Sequence, residues 1–365
     1  MNTLTLPQRR ATAALQSLFV ADALAMPVHW YYSPMDIFRQ FRGGIAKFED
    51  APAYHPGSIM SLHSTSKGGR GSHSRAGKSP EIVGEVILKG KRPYWDKPNQ
   101  HYHQGMKAGE NTLNAHCARA VMRALTAGGG HYDEDCFLDF YIELLTADPP
   151  QHPDTYAESY HRGFFANLVS GNPPNKCGAV THDTASIGGL VTIAPIVFAE
   201  RLRGTELKAV ETICQKHLLL THPDQFLAKV CKDYVGLLEA LLWRDPEDPV
   251  QQLISAWSKR SISLQMSEIM DKFHNDNDVV GKLFSSACYI TDSWPSVLYL
   301  AYKYCNSQCP GLMANTNLGG DNVHRGAVLG TLLGLANGET VANLFSELRD
   351  GASINTEIVS TVSNE

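Results

Sequence analysis

The residues of this chain whose types and spacing suit chemistry stand at helix starts, delivered there by glycine. In Asn315 to Gly338 the run Asn-Thr-Asn-Leu-Gly-Gly-Asp-Asn-Val-His-Arg-Gly leads into Ala-Val-Leu-Gly-Thr-Leu-Leu-Gly-Leu-Ala-Asn-Gly. Gly319 and Gly320 permit a turn that side chains would block, and they bring Asp321 to a helix N-terminus. A carboxylate there can satisfy free amides or face a bound ion or sugar hydroxyl. Gly109-Glu110-Asn111-Thr112-Leu113-Asn114 repeats this logic ahead of a second small-residue helix, with Glu110 and Asn114 four apart on one face. So many polar side chains around one start exceed what a cap needs. A third polar cluster, Thr181-His182-Asp183-Thr184, precedes Gly188 and Gly189. A His182–Asp183 pair serving a serine nucleophile is disfavoured, because the chain has no Gly-x-Ser-x-Gly elbow and adjacent side chains point apart.

Two further stretches are suggestive. Asp22 falls in the last turn of the first helix, against the helix dipole, with His29 just beyond it. Pairing of Asp22 with a backbone amide or with His29 is the plainer structural account. The loop from Ser58 to Gly71 holds Lys67, Arg70 and several glycines, whose amides can turn toward a phosphate. It lacks the Walker spacing, and an ordinary loop has the same composition.

The elements that must position these residues read as helices throughout. Leu15, Leu18, Phe19 and Leu24 recur at helical spacing between Pro7 and Leu24. Further helices are expected over 131–145, 156–168, 211–220, 223–242, 249–256, 294–304 and 339–350, with a polar tail after Gly351. Gly326, Gly330 and Gly334 recur at every fourth residue, a stripe best explained by close backbone approach to another helix. A membrane dimer motif is rejected, because Asp321, His324 and Arg325 open the helix and the apolar run behind them is too short to span. No alternating β-branched run suits a sheet, so the expected class is all-α, in a single domain over 1–365.

Composition narrows the function. A formal charge of -5 and a pI near 6.3 offer no basic field for nucleic acid. Eight scattered cysteines lack zinc-finger spacing and read as reduced thiols. With no apolar signal region, the expectation is a soluble, cytoplasmic protein that uses no membrane.

Nearly the whole chain resembles the ADP-ribosylglycohydrolase family, the relatives of dinitrogenase-reductase-activating glycohydrolase. The family's Gly-Asp-Ala-Leu-Gly-x-Pro-x-Glu is matched by Ala21-Asp22-Ala23-Leu24-Ala25-Met26-Pro27-Val28-His29, and its Thr-Asp-Asp-Thr by Gly109-Glu110-Asn111-Thr112. Ile193-Ala194-Pro195 and Thr221-His222-Pro223 resemble two other family segments. The most specific match sets Gly319-Gly320-Asp321-Asn322-Val323-His324 against Gly-Gly-Asp-Thr-Asp-Thr. The resemblance implies hydrolysis at C1″ of a ribose in an ADP-ribosyl or related nucleotide conjugate, with two magnesium ions in the family's site.

The departures fall on the metal ligands. Val323 replaces a bridging carboxylate, Asn111 the second Asp of the first motif, Gly109 its Thr, and His29 the early Glu. Glu110, Thr112 and Asp321 keep oxygen chemistry. The expectation is therefore one divalent metal (magnesium by resemblance) or none, held by Glu110, Thr112, Asp321 and His324, the histidines favouring a softer ion. The resemblance further implies Glu110 and Asp321 as catalytic carboxylates in one cleft with Asp22. Asp22, His29, Asn111, Asn114, His182, Asp183, Thr184, Gly319, Gly320, Asn322 and Arg325 are expected to bind the ligand, with 184–189 on its phosphates. The alternative is a non-catalytic binding or structural protein, as the jellyfish lens crystallins on this scaffold are.

Overall fold

The computed structural model describes residues 4–70, 80–339 and 341–363. Its organising pair is the first helix, Leu6–Ala25, laid against the glycine helix Asn322–Asn337. The stripe explains the intimacy. A Cβ built on Gly330 would stand 2.5 Å from the Ser17 carbonyl, and one on Gly334 2.5 Å from that of Ala13. Backbone meets backbone here, so neither partner can yield by rotating a side chain. Gly334→Ala should accordingly destabilise the fold by about 1–3 kcal/mol despite its better helix propensity, measurable as a fall in urea midpoint.

Around this pair pack Leu113–Ala127, Gln225–Trp243, Ile290–Tyr304 and Gln308–Leu318. The described residues contain helices and a few isolated bridges but no sheet strand, so the class is all-α. The first helix, extended to Val28, is long and apolar enough to cross a membrane by length and composition, but 89% of its apolar window is buried inside the protein. Its alanines and leucines face other helices. All eight cysteines are free.

Several expected elements differ. The tail after Gly351 is a helix, Gly351–Val362, because Ile354, Ile358 and Val362 fall on one face and are buried. In 339–350, where Thr340 lies outside the described residues, only Ala342–Ser346 is helical. Helices also form at Pro34–Gln40 and Gln308–Leu318, the second running up to Gly319. Of the loop from Ser58 to Gly71, Gly71 lies outside the described residues, whereas Arg70 is within them.

Candidate functional site

The site is built on the turn between Gln308–Leu318 and the glycine helix. Gly319 and Gly320 have φ of 67° and 66°, and a Cβ on either would overlap a backbone carbonyl, that of Tyr31 or of Ser286. The turn is stitched on both sides. Trp30 N donates to Gly320 O at 2.8 Å, Gly320 N to Tyr31 O at 2.7 Å, and Asp321 N to Ser286 O at 2.8 Å. From below, the fully buried Arg325 donates to Asn315 Oδ1 and to the carbonyls of Gly319 and Ser286. Burial lowers its pKa to about 10, and it holds the turn rather than a ligand.

Asp321 occupies the N-cap position, yet its side chain caps nothing. Oδ1 faces His29 Nε2 at 3.0 Å and His324 Nδ1 at 2.8 Å, and Oδ2 is buried without a partner among the described residues. The network continues both ways. His29 Nδ1 lies 2.7 Å from His103 Nε2, and His103 Nδ1 lies 2.7 Å from Asp154 Oδ1. His324 Nε2 lies 3.3 Å from Glu158 Oε1 and 2.5 Å from the Asn114 amide nitrogen. Glu158 Oε2 has no hydrogen-bond partner either, the nearby His161 Nε2 standing 3.6 Å away and donating to Asn114 Oδ1.

Burial and charge set the ionisation along this chain. Burial would raise Asp321, but the His324 charge and the His29 and His324 hydrogen bonds overcome it and hold the carboxyl far below its usual range. Burial would lower His324, but Asp321 and Glu158 outweigh it and push the imidazole well up. His29 is pushed down to about 3, chiefly by burial. Asp154 is held low because His103 and the Leu113 amide outweigh the effect of burial.

Trp30 joins this buried row to the surface. Its φ of 62° is a strained conformation for a bulky residue, and its indole stacks on His29 with ring centroids 3.7 Å apart. The indole also lines a cleft of about 330 Å³ with Tyr32, Tyr102, Tyr156 and Tyr289, where Arg70, His182 and Asp183 are the more exposed polar residues and Glu158 and His324 the buried ones. Tyr102 and Tyr156 meet the indole edge-on at 4.5 and 5.1 Å. Such a cleft suits a planar ring beside polar groups.

The sequence-predicted residues divide sharply. His324, His182 and Asp183 reach the cleft wall, and Asp321, His29 and Asn114 stand directly behind it. Glu110 does not join them. Its carboxylate accepts from Lys107 N at 2.7 Å and lines a separate cavity with His116, His152 and Arg349, so the expected convergence of Glu110, Asp22 and Asp321 on one cleft is corrected. Asp22 accepts from Asn111 Nδ2, Thr112 N and Thr112 Oγ1 at 2.6–2.9 Å, which docks the first helix on the start of Leu113–Ala127. Burial pushes Asp22 up despite those bonds. Asp22, Asn111 and Thr112 thus bond one another rather than a ligand.

Asn322 donates to Thr316 O, and Thr184 to Ala179 O, both inward, while Gly188 and Gly189 are buried, so Ser186 is the residue of 184–189 that lines the cleft. His182 and Asp183, expected to point apart, are 3.0 Å apart, because Asp183 also binds Ser159 Oγ and N and the chain turns between them. Sequence reasoning missed Glu158, Asp154, His103, Trp30 and Tyr156 as site residues. Two carboxylates four apart before a helix start, and His101-Tyr102-His103, were the available signals.

The magnesium pair implied by the resemblance does not fit this donor set. Magnesium takes oxygen ligands in octahedral order, whereas Val323 is apolar and fully buried, Asp22 is engaged by three donors, and Glu110 is in another cavity. Among the described residues, the cluster whose ligand atoms all lie within 4.8 Å of one another is His29, Asp321 and His324. Two imidazoles and one carboxylate are a different chemistry.

A family model described as ADP-ribosylglycohydrolase matches residues 3–351. A solved structure titled "ADP-ribosylglycohydrolase-related protein complex" is similar in fold, with a TM-score of 0.58 and 16% identity over 98% of this chain and 99% of that one. No curated protein matches in sequence.

Proposed function

The chain belongs to the ADP-ribosylglycohydrolase family, and from that premise we propose that it hydrolyses the C1″ bond of a ribose in an ADP-ribosylated or related nucleotide conjugate. The observation that carries the reading is the pair of buried carboxylates with free oxygens, Glu158 Oε2 and Asp321 Oδ2, bridged by His324 behind an aromatic cleft. Unsatisfied buried carboxylate oxygens are costly, and a substrate hydroxyl or water offsets that cost.

Cleavage of a ribosyl bond passes through an oxocarbenium-like state that needs negative charge beside it and an activated water. Glu158 lines the cleft and meets both needs: its carboxylate accepts the proton of the attacking water, returns it to the leaving group, and faces the developing cation. Asp321 is fully buried behind His324 and is a positioning residue, fixing His324 through Nδ1 as His324 Nε2 fixes Glu158. The aromatic walls hold the base, and Arg70 and His182 at the rim suit phosphate oxygens.

The non-catalytic alternative draws support from Val323, which removes a metal ligand. It leaves the two free carboxylate oxygens unexplained. The test is product release from ADP-ribosylated arginine, ADP-ribosylated serine and free nucleotide conjugates. Release of ADP-ribose or its analogue from one of them supports hydrolysis, and binding without release supports the alternative.

A further inference from the structure

The hydrogen-bond inventory of the buried row does not balance. Between Asp154 and Glu158 five close contacts each require one proton: Asp154–His103, His103–His29, His29–Asp321, Asp321–His324 and His324–Glu158. Three neutral imidazoles carry only three N–H groups. If His103 donates to Asp154 and His29 donates to His103, the His29 Nε2 lone pair faces the Asp321 carboxylate at 3.0 Å. His324 Nε2 also meets the Asn114 amide nitrogen at 2.5 Å, and accepting from that donor leaves Nδ1–H to face Asp321 at 2.8 Å. The lone pair left against the Asp321 carboxylate is then that of His29 Nε2. A cation bound between them would satisfy both.

We propose that His29 Nε2, His324 Nδ1 and a carboxylate oxygen of Asp321 bind a divalent transition ion of the zinc class, in place of the magnesium pair of the family. Three observations converge on this. The ligand atoms lie within 4.8 Å of one another, in a buried cluster that reaches the cleft through His324. Asp321 Oδ2 is an orphaned buried oxygen beside them. Each imidazole is backed on its far nitrogen as metal-bound histidines are, His29 through His103 to Asp154 and His324 directly by Glu158. Asp154 is itself fixed by the amides of Leu113, Thr155 and Tyr156, so the outer arm is rigid. Imidazole nitrogen suits zinc, cobalt and iron and is a poor partner for magnesium.

The inference stands apart from the proposed hydrolysis, because its readouts need no substrate. Chelator-treated wild-type protein is titrated calorimetrically with Zn²⁺, Co²⁺ and Mg²⁺ in buffers of differing ionisation enthalpy. The expected result is equimolar Zn²⁺ binding with net proton release, a raised Tm with Zn²⁺ but none with Mg²⁺, and a visible d–d spectrum with Co²⁺. His103→Gln, which cuts the outer arm, should weaken Zn²⁺ by about 10–100-fold. The wild-type Co²⁺ spectrum keeps the test decisive if that variant unfolds. Absence of saturable Zn²⁺ binding, a Tm rise from Mg²⁺ equal to that from Zn²⁺, or undiminished Zn²⁺ affinity in folded His29→Gln overturns the proposal.

Discussion

Glutamine in place of Glu158 should lower turnover of an ADP-ribosyl conjugate by about 10²–10⁴-fold, the range expected when a general base is removed. Size and most contacts survive the change, so the melting temperature should move little. Glu110→Gln is the matched control, because Glu110 faces another cavity and should leave turnover as it was. The two expectations move the catalytic role from Glu110, which the sequence suggested, to Glu158, which it did not single out. Rate measurements on both variants check them: an inactive Glu110→Gln beside an active Glu158→Gln would restore the original assignment.

The second large effect is on stability. Asp154 is a buried carboxylate that accepts from His103 and from the amides of Leu113, Thr155 and Tyr156. Asp154→Ala strands those donors and should cost about 3–5 kcal/mol, as loss of one partner of a buried ionic network does. The pH dependence follows in sign. Because the folded carboxyl is held below its unfolded value of roughly 3.9, its contribution is fully present above that value. It declines as pH falls through the acid range toward the folded pKa. Denaturant midpoints at pH 7 and pH 3 check this: the gap between wild type and Asp154→Ala should narrow on acidification, and a gap unchanged or widened would count against it.

What could be read in the sequence was whatever depends on neighbours along the chain. The glycine stripe announced a close helix contact, because only backbone approach rewards three glycines at one face, and Ser17 and Ala13 supply it. Gly319-Gly320-Asp321 announced a turn into a helix start, which is what forms. The helical tail was missed, because the polar residues between Ile354, Ile358 and Val362 masked their helical spacing.

The site was far less legible because it is assembled across long separations. His29, His103, the Asp154–Glu158 segment and Asp321 come from four stretches, and no local pattern says which of several buried-prone polar residues will meet. Glu110 misled for the opposite reason. It sits one turn from Asn114, which does reach His324, and the first residues before a helix splay in different directions. The family motif also drew attention to ligand positions that here bond one another, as Asp22, Asn111 and Thr112 do.

The central claim is that water attacks a ribose carbon in the cleft walled by Glu158 and His324. Turnover of an ADP-ribosyl conjugate in ¹⁸O-enriched water, read by mass spectrometry of the products, tests it most directly. The account predicts one ¹⁸O in the ribose product, at the C1″ hydroxyl, and none in the leaving group. Label in the leaving group, or no labelled product from wild-type protein with any conjugate, would contradict it.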